Sequence, residues 1–240
     1  MNGIILAAGN SLRFRPLTEE TPKPMLKIGG KPLLEHLVKL FVESGVANIT
    51  INLYHKSAKI ITHFGEGTKW GAKINYSYED VLLGTAGGAR KCFLPNENSW
   101  EKTSKEPILL SYGDNLTNFN LQLLIDFHKK RKGIATILAY DIPDVSQSGL
   151  VKFEKDGLIT SFEEKPNNSD RGYVSTGIYI LEPEVFSYIP GQKFYDFGRD
   201  LFPKILDKRI FAYKLPLDFY FKSCDNIQDY QEMEIDFPSL

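Results

Sequence analysis

Residues 4–9 read Ile4-Ile5-Leu6-Ala7-Ala8-Gly9, a short apolar run closed by glycine. A run of this kind is a buried strand entering a tight loop. The loop extends to about residue 30 and carries Arg13, Arg15, Lys23 and Lys27, with prolines at 16, 22 and 24. Loops that long inside a compact domain are usually functional. Apolar residues at 33, 34, 37, 38, 40, 41 and 42 then predict a helix over 31–44, with Pro32 in its first turn and Gly45 as its stop.

The alternation continues outward. Strands are expected at 49–53, 74–78, 107–111 and 135–139, and helices at 58–64, 85–92 and 121–132. The helix at 85–92 is read as opened by a glycine-rich turn, Gly84-Thr85-Ala86-Gly87-Gly88. Strand–helix alternation argues for an α/β protein with a Rossmann-like, doubly wound, mostly parallel sheet, because parallel neighbours need crossover helices. After residue 145 the texture changes. Segments 150–154 and 158–163 flank Lys155-Asp156-Gly157, a hairpin signal. Further strands are expected at 177–181, 210–215 and 219–222, with helices at 183–188, 198–206 and 227–233. The reading is one domain over 1–240. Its first part, 1–145, is followed by a smaller mixed lobe, 146–240, on the same sheet. Residues 95–107 are polar and expected to form an exposed loop.

Composition narrows the function. The 240 residues are 42% hydrophobic and 25% charged, which suits a packed core and excludes disorder as a description of the whole chain. Lys plus Arg number 29 and Asp plus Glu 30, so the basic excess of a general nucleic-acid binder is missing. With only Cys92 and Cys224, a disulfide scaffold and a four-cysteine zinc site are excluded. No apolar run reaches the roughly 18 residues that span a bilayer. The N-terminus lacks the basic leading region of a signal peptide. The expectation is a cytoplasmic protein with reduced thiols.

Four sequence blocks carry the chemistry. They are Leu6-Ala7-Ala8-Gly9, then Arg13-Phe14-Arg15-Pro16-Leu17-Thr18, Pro22-Lys23-Pro24-Met25-Leu26, and Gly29-Gly30-Lys31-Pro32-Leu33-Leu34-Glu35-His36. A strand ending in small residues lets backbone N–H groups approach an anion or a nucleobase closely. Arg13 and Lys23 add the positive charge that a leaving pyrophosphate needs. A glycine-bearing basic loop by itself is more often a solvated surface. Both the phosphate-loop pattern and the Gly-x-Gly-x-x-Gly fingerprint are absent here.

In this order and spacing, the blocks resemble the N-terminal signature of the sugar-1-phosphate nucleotidylyltransferases. The resemblance continues through Leu82-Leu83-Gly84-Thr85-Ala86-Gly87-Gly88, Tyr112-Gly113-Asp114, Glu163-Glu164-Lys165-Pro166, residues 175–181 and residues 196–203. It covers essentially the whole chain. It implies the nucleotide-diphospho-sugar transferase fold, a nucleoside triphosphate and a sugar 1-phosphate as substrates, Mg²⁺ as cofactor and a homodimer at family level.

Residue roles follow from the same resemblance. Arg13 and Lys23 would grip the triphosphate. Leu6, Ala7, Ala8, Gly9, Asn10, Ser11, Leu82, Gly84 and Thr85 would line the nucleotide site. Lys165 would hold the sugar phosphate and Glu164 the sugar hydroxyls, with Gly149, Thr176 and Gly177 in the sugar pocket. Asp114 would bind the metal; standing alone it would read as a turn or capping residue. Many members end in W-x-D-I-G-T-P-x-D-Y, and aligned from the final Asp-Tyr their aspartate falls on Ser223. The glucose-1-phosphate cytidylyltransferases carry W-x-P-M-D-T instead, which places the aspartate on Asp225. They also share the block seen here as Asp126-Phe127-His128-Lys129. The second metal carboxylate is therefore assigned to Asp225, with Asp229 as fallback.

Some positions depart from the family pattern. Ser11-Leu12 replaces the usual Gly-Thr, and serine restricts backbone angles more than glycine. Leu82 stands where uridylyltransferases often place a glutamine that reads uracil, and leucine cannot hydrogen-bond a base. The reading leans to guanylyl transfer onto a mannose- or heptose-type 1-phosphate. The alternatives are cytidylyl transfer to glucose 1-phosphate or phosphocholine, and a non-catalytic regulatory subunit that binds nucleotide-sugar. No hexapeptide repeat follows, so no β-helix domain is expected. The four histidines lack ligand spacing and are expected to be solvated or capping. Cys224 is expected to be a packed thiol beside the site.

Overall fold

In a computed structural model describing residues 1–94, 104–167, 170–191 and 193–239, the opening run forms β1 (Asn2–Leu6) in the middle of a nine-stranded sheet. The basic loop after it contains two single 3₁₀ turns, Leu12–Phe14 and Lys23–Met25, and a clip of β2 (Lys27–Ile28) and β3 (Lys31–Pro32). Then come α1 (Leu33–Glu43), β4 (Asn48–Leu53), α2 (Ser57–Phe64), β5 (Lys73–Tyr78) and α3 (Gly84–Phe93). They are followed by β6 (Ile108–Tyr112), β7 (Asn115–Thr117), α4 (Leu121–Arg131) and β8 (Ala135–Ile142). The second half supplies β9 (Gly149–Phe153), β10 (Ile159–Glu164), β11 (Gly172–Leu181), β12 (Ile210–Lys214), β13 (Phe221–Ser223) and α5 (Ile227–Asp236).

The fold is mixed α/β with a largely parallel centre. The sheet order is β10-β9-β11-β6-β1-β4-β5, with β8 also paired to β11, and β12 to β8. β1 runs parallel to β4 and β6, and β4 to β5; β11 enters antiparallel beside β6. The second half therefore extends the same sheet. Adjacent residues of β1 point to opposite faces. Ile5 packs into a core with Leu34, Phe41 and Leu124, while Ile4 packs into another with Ala86, Ala89, Phe93 and Phe202. Burial on both faces is why the central strands read as continuous apolar runs.

Several local expectations are corrected. The helix expected from 31 starts at Leu33, because Lys31 and Pro32 pair with Ile28 and Lys27. The glycines at 84–88 are not all a turn. Gly84 has φ +74, but Gly87 and Gly88 lie inside α3 where neighbouring groups press against the helix. The helix at 198–206 is a π turn over Phe197–Leu201 followed by 3₁₀ turns, since Pro203 removes a backbone donor. Residues 183–188 are likewise 3₁₀. The strand expected from 177 begins at Gly172, and β7 was not anticipated. The hairpin forms as read, with Gly157 at φ +93 and the Leu158 amide donating to Asp156 Oδ1 at 3.0 Å. Most of the polar loop expected at 95–107 lies outside the described residues. Among the described residues no helix is long and apolar enough to cross a membrane.

Of the histidines only His55 is exposed. His36 Nε2 donates to the Ile28 carbonyl at 3.0 Å, and His63 Nε2 meets Glu35 Oε2 at 3.1 Å. His128 is buried, with Nδ1 2.8 Å from Thr136 Oγ1 and Nε2 3.1 Å from Glu182 Oε1. Burial lowers the His128 pKa from the usual 6.5, against the opposing pull of Glu182. The fold therefore favours neutral imidazole, while the unfolded chain takes up a proton below 6.5. Stability is expected to fall as pH drops through and below 6.5. Thermal melts at pH 7.5 and 5.5 should show a smaller acid loss for His128→Gln than for wild type; equal losses would contradict this account.

Candidate functional site

The loop after β1 is shaped by a side chain that sequence reasoning missed. Asn52, at the end of β4, accepts from the amides of Ala7 (2.6 Å) and Ala8 (3.1 Å) through Oδ1. Its Nδ2 donates to Glu79 Oε1 at 2.6 Å, and Glu79 Oε2 accepts from the Leu83 amide at 2.8 Å. Asn52 and Glu79 are both buried. The only sequence signal was a polar residue within the apolar strand Ile49-Thr50-Ile51-Asn52-Leu53. One consequence corrects the expected anion cradle. The amides of Ala7 and Ala8 are committed to Asn52, and that of Gly9 to the Ala7 carbonyl. The amides of Asn10, Ser11, Leu12 and Arg13 donate to no other group among the described residues. Ser11 turns the chain with φ +48, and its carbonyl accepts from Thr18 Oγ1 at 2.8 Å. That left-handed conformation is where the family's glycine would be free of strain.

An acidic pair forms at the carboxyl edge of the sheet. The Gly113 amide donates to the Leu6 carbonyl at 2.8 Å; a Cβ on Gly113 would lie 2.8 Å from the same oxygen, so glycine permits the approach of the two strand ends. Asp114 follows. β7 and β13 pair antiparallel, with Asn115 opposite Ser223, and the Cys224 amide donates to the Asp114 carbonyl at 3.0 Å. This ladder brings Asp225 to Asp114. Lys23 Nζ bonds Asp114 Oδ2 at 2.5 Å and lies 4.8 Å from the Phe14 ring centroid. Asp114 Oδ1 is buried and has no hydrogen-bond partner among the described residues.

Titration behaviour follows from this crowding. Burial first, then the Asp114 charge, push the Asp225 pKa up, outweighing Lys23 and Ser223. Burial works against the charge on Lys23, but Asp114 and Asp225 outweigh it and raise its pKa, so it stays an ammonium. Burial pushes the Cys224 thiol up to about 12, as expected of a packed thiol. The fallback Asp229 is otherwise engaged. Its carboxylate accepts from the amides of Asp225 and Asn226 (2.9 and 3.0 Å) in a capping box that starts α5.

Two cavities meet at this edge. The larger, about 500 Å³, is lined by Leu6, Ala7, Ala8, Gly9, Asn10, Ser11, Arg13, Lys23, Asn52, Leu82, Gly84, Thr85, Asp114 and Asp225, together with the exposed ring of Phe194. The second, about 410 Å³, is lined by Gly149, Glu164, Lys165, Thr176 and Gly177 among others. Arg13, Tyr112 and Asp225 line both. Every candidate site residue except the fallback Asp229 thus lies on one wall or the other.

Local geometry distinguishes them. Thr85 is bound to Asp196 through its amide and hydroxyl (2.9 and 3.1 Å). The Thr176 hydroxyl is spent within the sheet, donating to the Leu138 carbonyl at 2.8 Å and accepting from the Ile178 amide at 3.1 Å. Lys165 takes φ +50, with its amide on the Ser148 carbonyl at 3.0 Å. Gly177, at φ +77, sits where a Cβ would lie 2.7 Å from the Tyr112 ring. Room for Glu164 comes from two glycines. A Cβ on Gly149 would lie 3.0 Å from Glu164 Oε2, and one on Gly198, which sequence reasoning gave no role, 2.1 Å. Burial raises the Glu164 pKa despite Lys165 and Arg199 nearby. Among the described residues no three His, Cys, Asp or Glu side chains converge as a metal cluster.

The family model for nucleotidyl transferases matches residues 2–234. This chain belongs to that family. Among curated relatives, a UTP–glucose-1-phosphate uridylyltransferase of Synechocystis is 35% identical, over 96% of this chain and 61% of that protein. A mannose-1-phosphate guanylyltransferase of Mycobacterium tuberculosis is 29% identical, over 89% of this chain and 58% of that protein. The chain thus spans about three fifths of both. A Bacillus subtilis protein, provisionally named a glucose-1-phosphate cytidylyltransferase, is 30% identical over 79% of this chain and 78% of its own length. Two solved structures share the fold. One, from Bacillus anthracis and provisionally named a glucose-1-phosphate thymidylyltransferase, has TM-score 0.84, 21% identity, and coverage of 98% and 94%. The other, HddC of Yersinia pseudotuberculosis, has TM-score 0.79, 24% identity, and coverage of 98% and 99%.

The two aspartates of α5's first turn region should separate in stability measurements. Asp225→Asn removes one of two facing carboxylates and is expected to raise the melting temperature without added metal. Asp229→Ala removes the N3 half of the capping box, whose carboxylate accepts from the Asp225 and Asn226 amides, and should lower the melting temperature. Destabilisation by Asp225→Asn would contradict the assignment of repulsion to this pair.

Proposed function

We propose that the chain transfers a nucleotidyl group from a nucleoside triphosphate to a sugar 1-phosphate, forming a nucleotide-sugar and releasing pyrophosphate. The supporting observation is the junction of two cavities at Arg13 and Asp225, beside the partnerless Asp114 oxygen. The larger cavity takes the triphosphate and the second the sugar phosphate. Asp114 and Asp225 are the residues that would hold Mg²⁺. A buried oxygen without a partner among the described residues, with a second carboxyl group close enough to feel its charge, fits a hard cation that prefers oxygen donors. When bound, the cation neutralises charge on the reacting phosphates.

The chain's own groups position and neutralise. Lys23 stays charged and Arg13 stands at the junction, so both can meet phosphate oxygens. Lys165 holds the sugar phosphate from the second cavity, and Glu164 accepts from sugar hydroxyls. A sugar-phosphate oxygen attacks the α-phosphorus; the bond to the bridging oxygen breaks, and pyrophosphate leaves with its electron pair. The attacking oxygen is already anionic, so no general base is needed. Cys224 is no candidate for a covalent step, because burial keeps its thiol protonated.

For the base, guanylyl transfer to a mannose- or heptose-type 1-phosphate remains the leading reading. It is supported by the guanylyltransferase names among relatives, while Leu82 argues only against a side chain that reads uracil. Cytidylyl transfer is the second reading, supported by the Bacillus subtilis relative that matches over most of its length. A cytoplasmic homodimer completes the proposal.

The test is pyrophosphate release with Mg²⁺, crossing GTP, CTP, UTP, dTTP and ATP against mannose, glucose and heptose 1-phosphates and phosphocholine. Release with a single pair is expected, and Asp114→Asn should lower it more than tenfold. Lys165→Ala should raise KM for the sugar phosphate at least tenfold and leave KM for the nucleotide within twofold. Nucleotide binding without release from any pair would support a regulatory subunit instead.

A further inference from the structure

The Asn52–Glu79 pair buries an amide and a carboxyl side chain, at a desolvation cost. In return it satisfies three backbone amides, those of Ala7, Ala8 and Leu83. The pair also imposes a second cost. α3 carries Gly88 in its interior, where glycine weakens a helix. A Cβ at Gly88 would lie 2.5 Å from Glu79 Oε1 and 2.7 Å from Asn52 Nδ2, so the glycine makes room for the pair.

The hydrogen bonds join two separate pieces of chain. Asn52 takes the Ala7 and Ala8 amides at the end of β1, and Glu79 takes the Leu83 amide just before Gly84 opens α3. Between these ends runs the 2.6 Å bond from Asn52 Nδ2 to Glu79 Oε1. Ala7, Ala8, Leu82 and Gly84 line the larger cavity, and none of them lines the second. We propose that this buried bridge is a positioning element that sets the separation of the two walls of the nucleotide cavity, and so governs nucleotide affinity independently of sugar-phosphate affinity. The proposal rests on the assignment of the larger cavity to the nucleotide.

The bridge can be loosened from three sides. Asn52→Ala removes the acceptor of two amides. Glu79→Gln presents one amide nitrogen to a site where both partners are donors, since Asn52 cannot flip while Oδ1 holds Ala7 and Ala8. Gly88→Ala wedges a methyl against the pair while favouring the helix. For each, KM for the nucleotide, KM for the sugar phosphate, kcat and the melting temperature are measured, using the pair that wild type turns over. KM for the nucleotide should rise at least fivefold in each variant, with KM for the sugar phosphate within twofold of wild type. A purely structural role would instead lower the melting temperature and leave the ratio of the two KM values unchanged, which would overturn the proposal.

If Asn52→Ala does not fold, Glu79→Gln and Gly88→Ala decide by the same ratio. If wild type releases no pyrophosphate, the proposed activity fails separately. The bridge is then read from the melting shift given by GTP, CTP or UTP with Mg²⁺, which the variants should reduce. An undiminished shift, or none in wild type, would overturn it.

Discussion

One ammonium stands against two carboxylates at the carboxyl edge of the sheet, and much of the surrounding structure exists to hold that arrangement. Lys23 bonds Asp114, and Asp225 is pressed close enough for the Asp114 charge to disfavour its ionisation. Like charges do not gather without outside support. The support is backbone. Gly113 lets β6 touch the end of β1, and the β7–β13 ladder delivers Asp225 from more than a hundred residues away. Lys23 and Asp114 are only partly buried, and removing the ammonium would leave the two carboxylates without their counter-charge. A ligand that takes over the neutralisation of Asp114 would free Lys23 for phosphate.

The glycines around the cavities tell a consistent story. Gly113, Gly149, Gly177 and Gly198 each sit where a Cβ would strike a backbone oxygen, an aromatic ring or the Glu164 carboxylate. They clear space for approach and for one polar side chain. The wall of the second cavity offers little from Thr176, whose hydroxyl is consumed within the sheet.

Much of this was legible in the sequence, and the reasons are physical. Strong periodicity placed β1, α1, β4 and the first-half alternation, since strands buried on both faces have to be apolar throughout. Resemblance to a family's motif blocks singled out Arg13, Lys23, Asp114, Glu164 and Lys165, all of which line the two cavities. What stayed hidden was chemistry made by distant partners. β7 is only three residues long and exists because β13 pairs with it. Asp229 looks like a metal carboxylate until its capping box is seen. Asn52 and Glu79 look unremarkable singly, because their meaning lies in the bond between them. Pro203 was visible, yet the π and 3₁₀ turns around it required the packing of Phe197 and Phe202 to be known.

The central claim is that the sugar phosphate attacks the α-phosphorus directly, with the protein supplying position and charge and no nucleophile. The most direct measurement is the stereochemical course at that phosphorus, using a nucleoside 5′-(1-thiotriphosphate) of one configuration with the accepted sugar 1-phosphate. A single in-line displacement predicts inversion in the thio-substituted nucleotide-sugar. Net retention would require two displacements through a nucleotidyl-enzyme and would contradict the account.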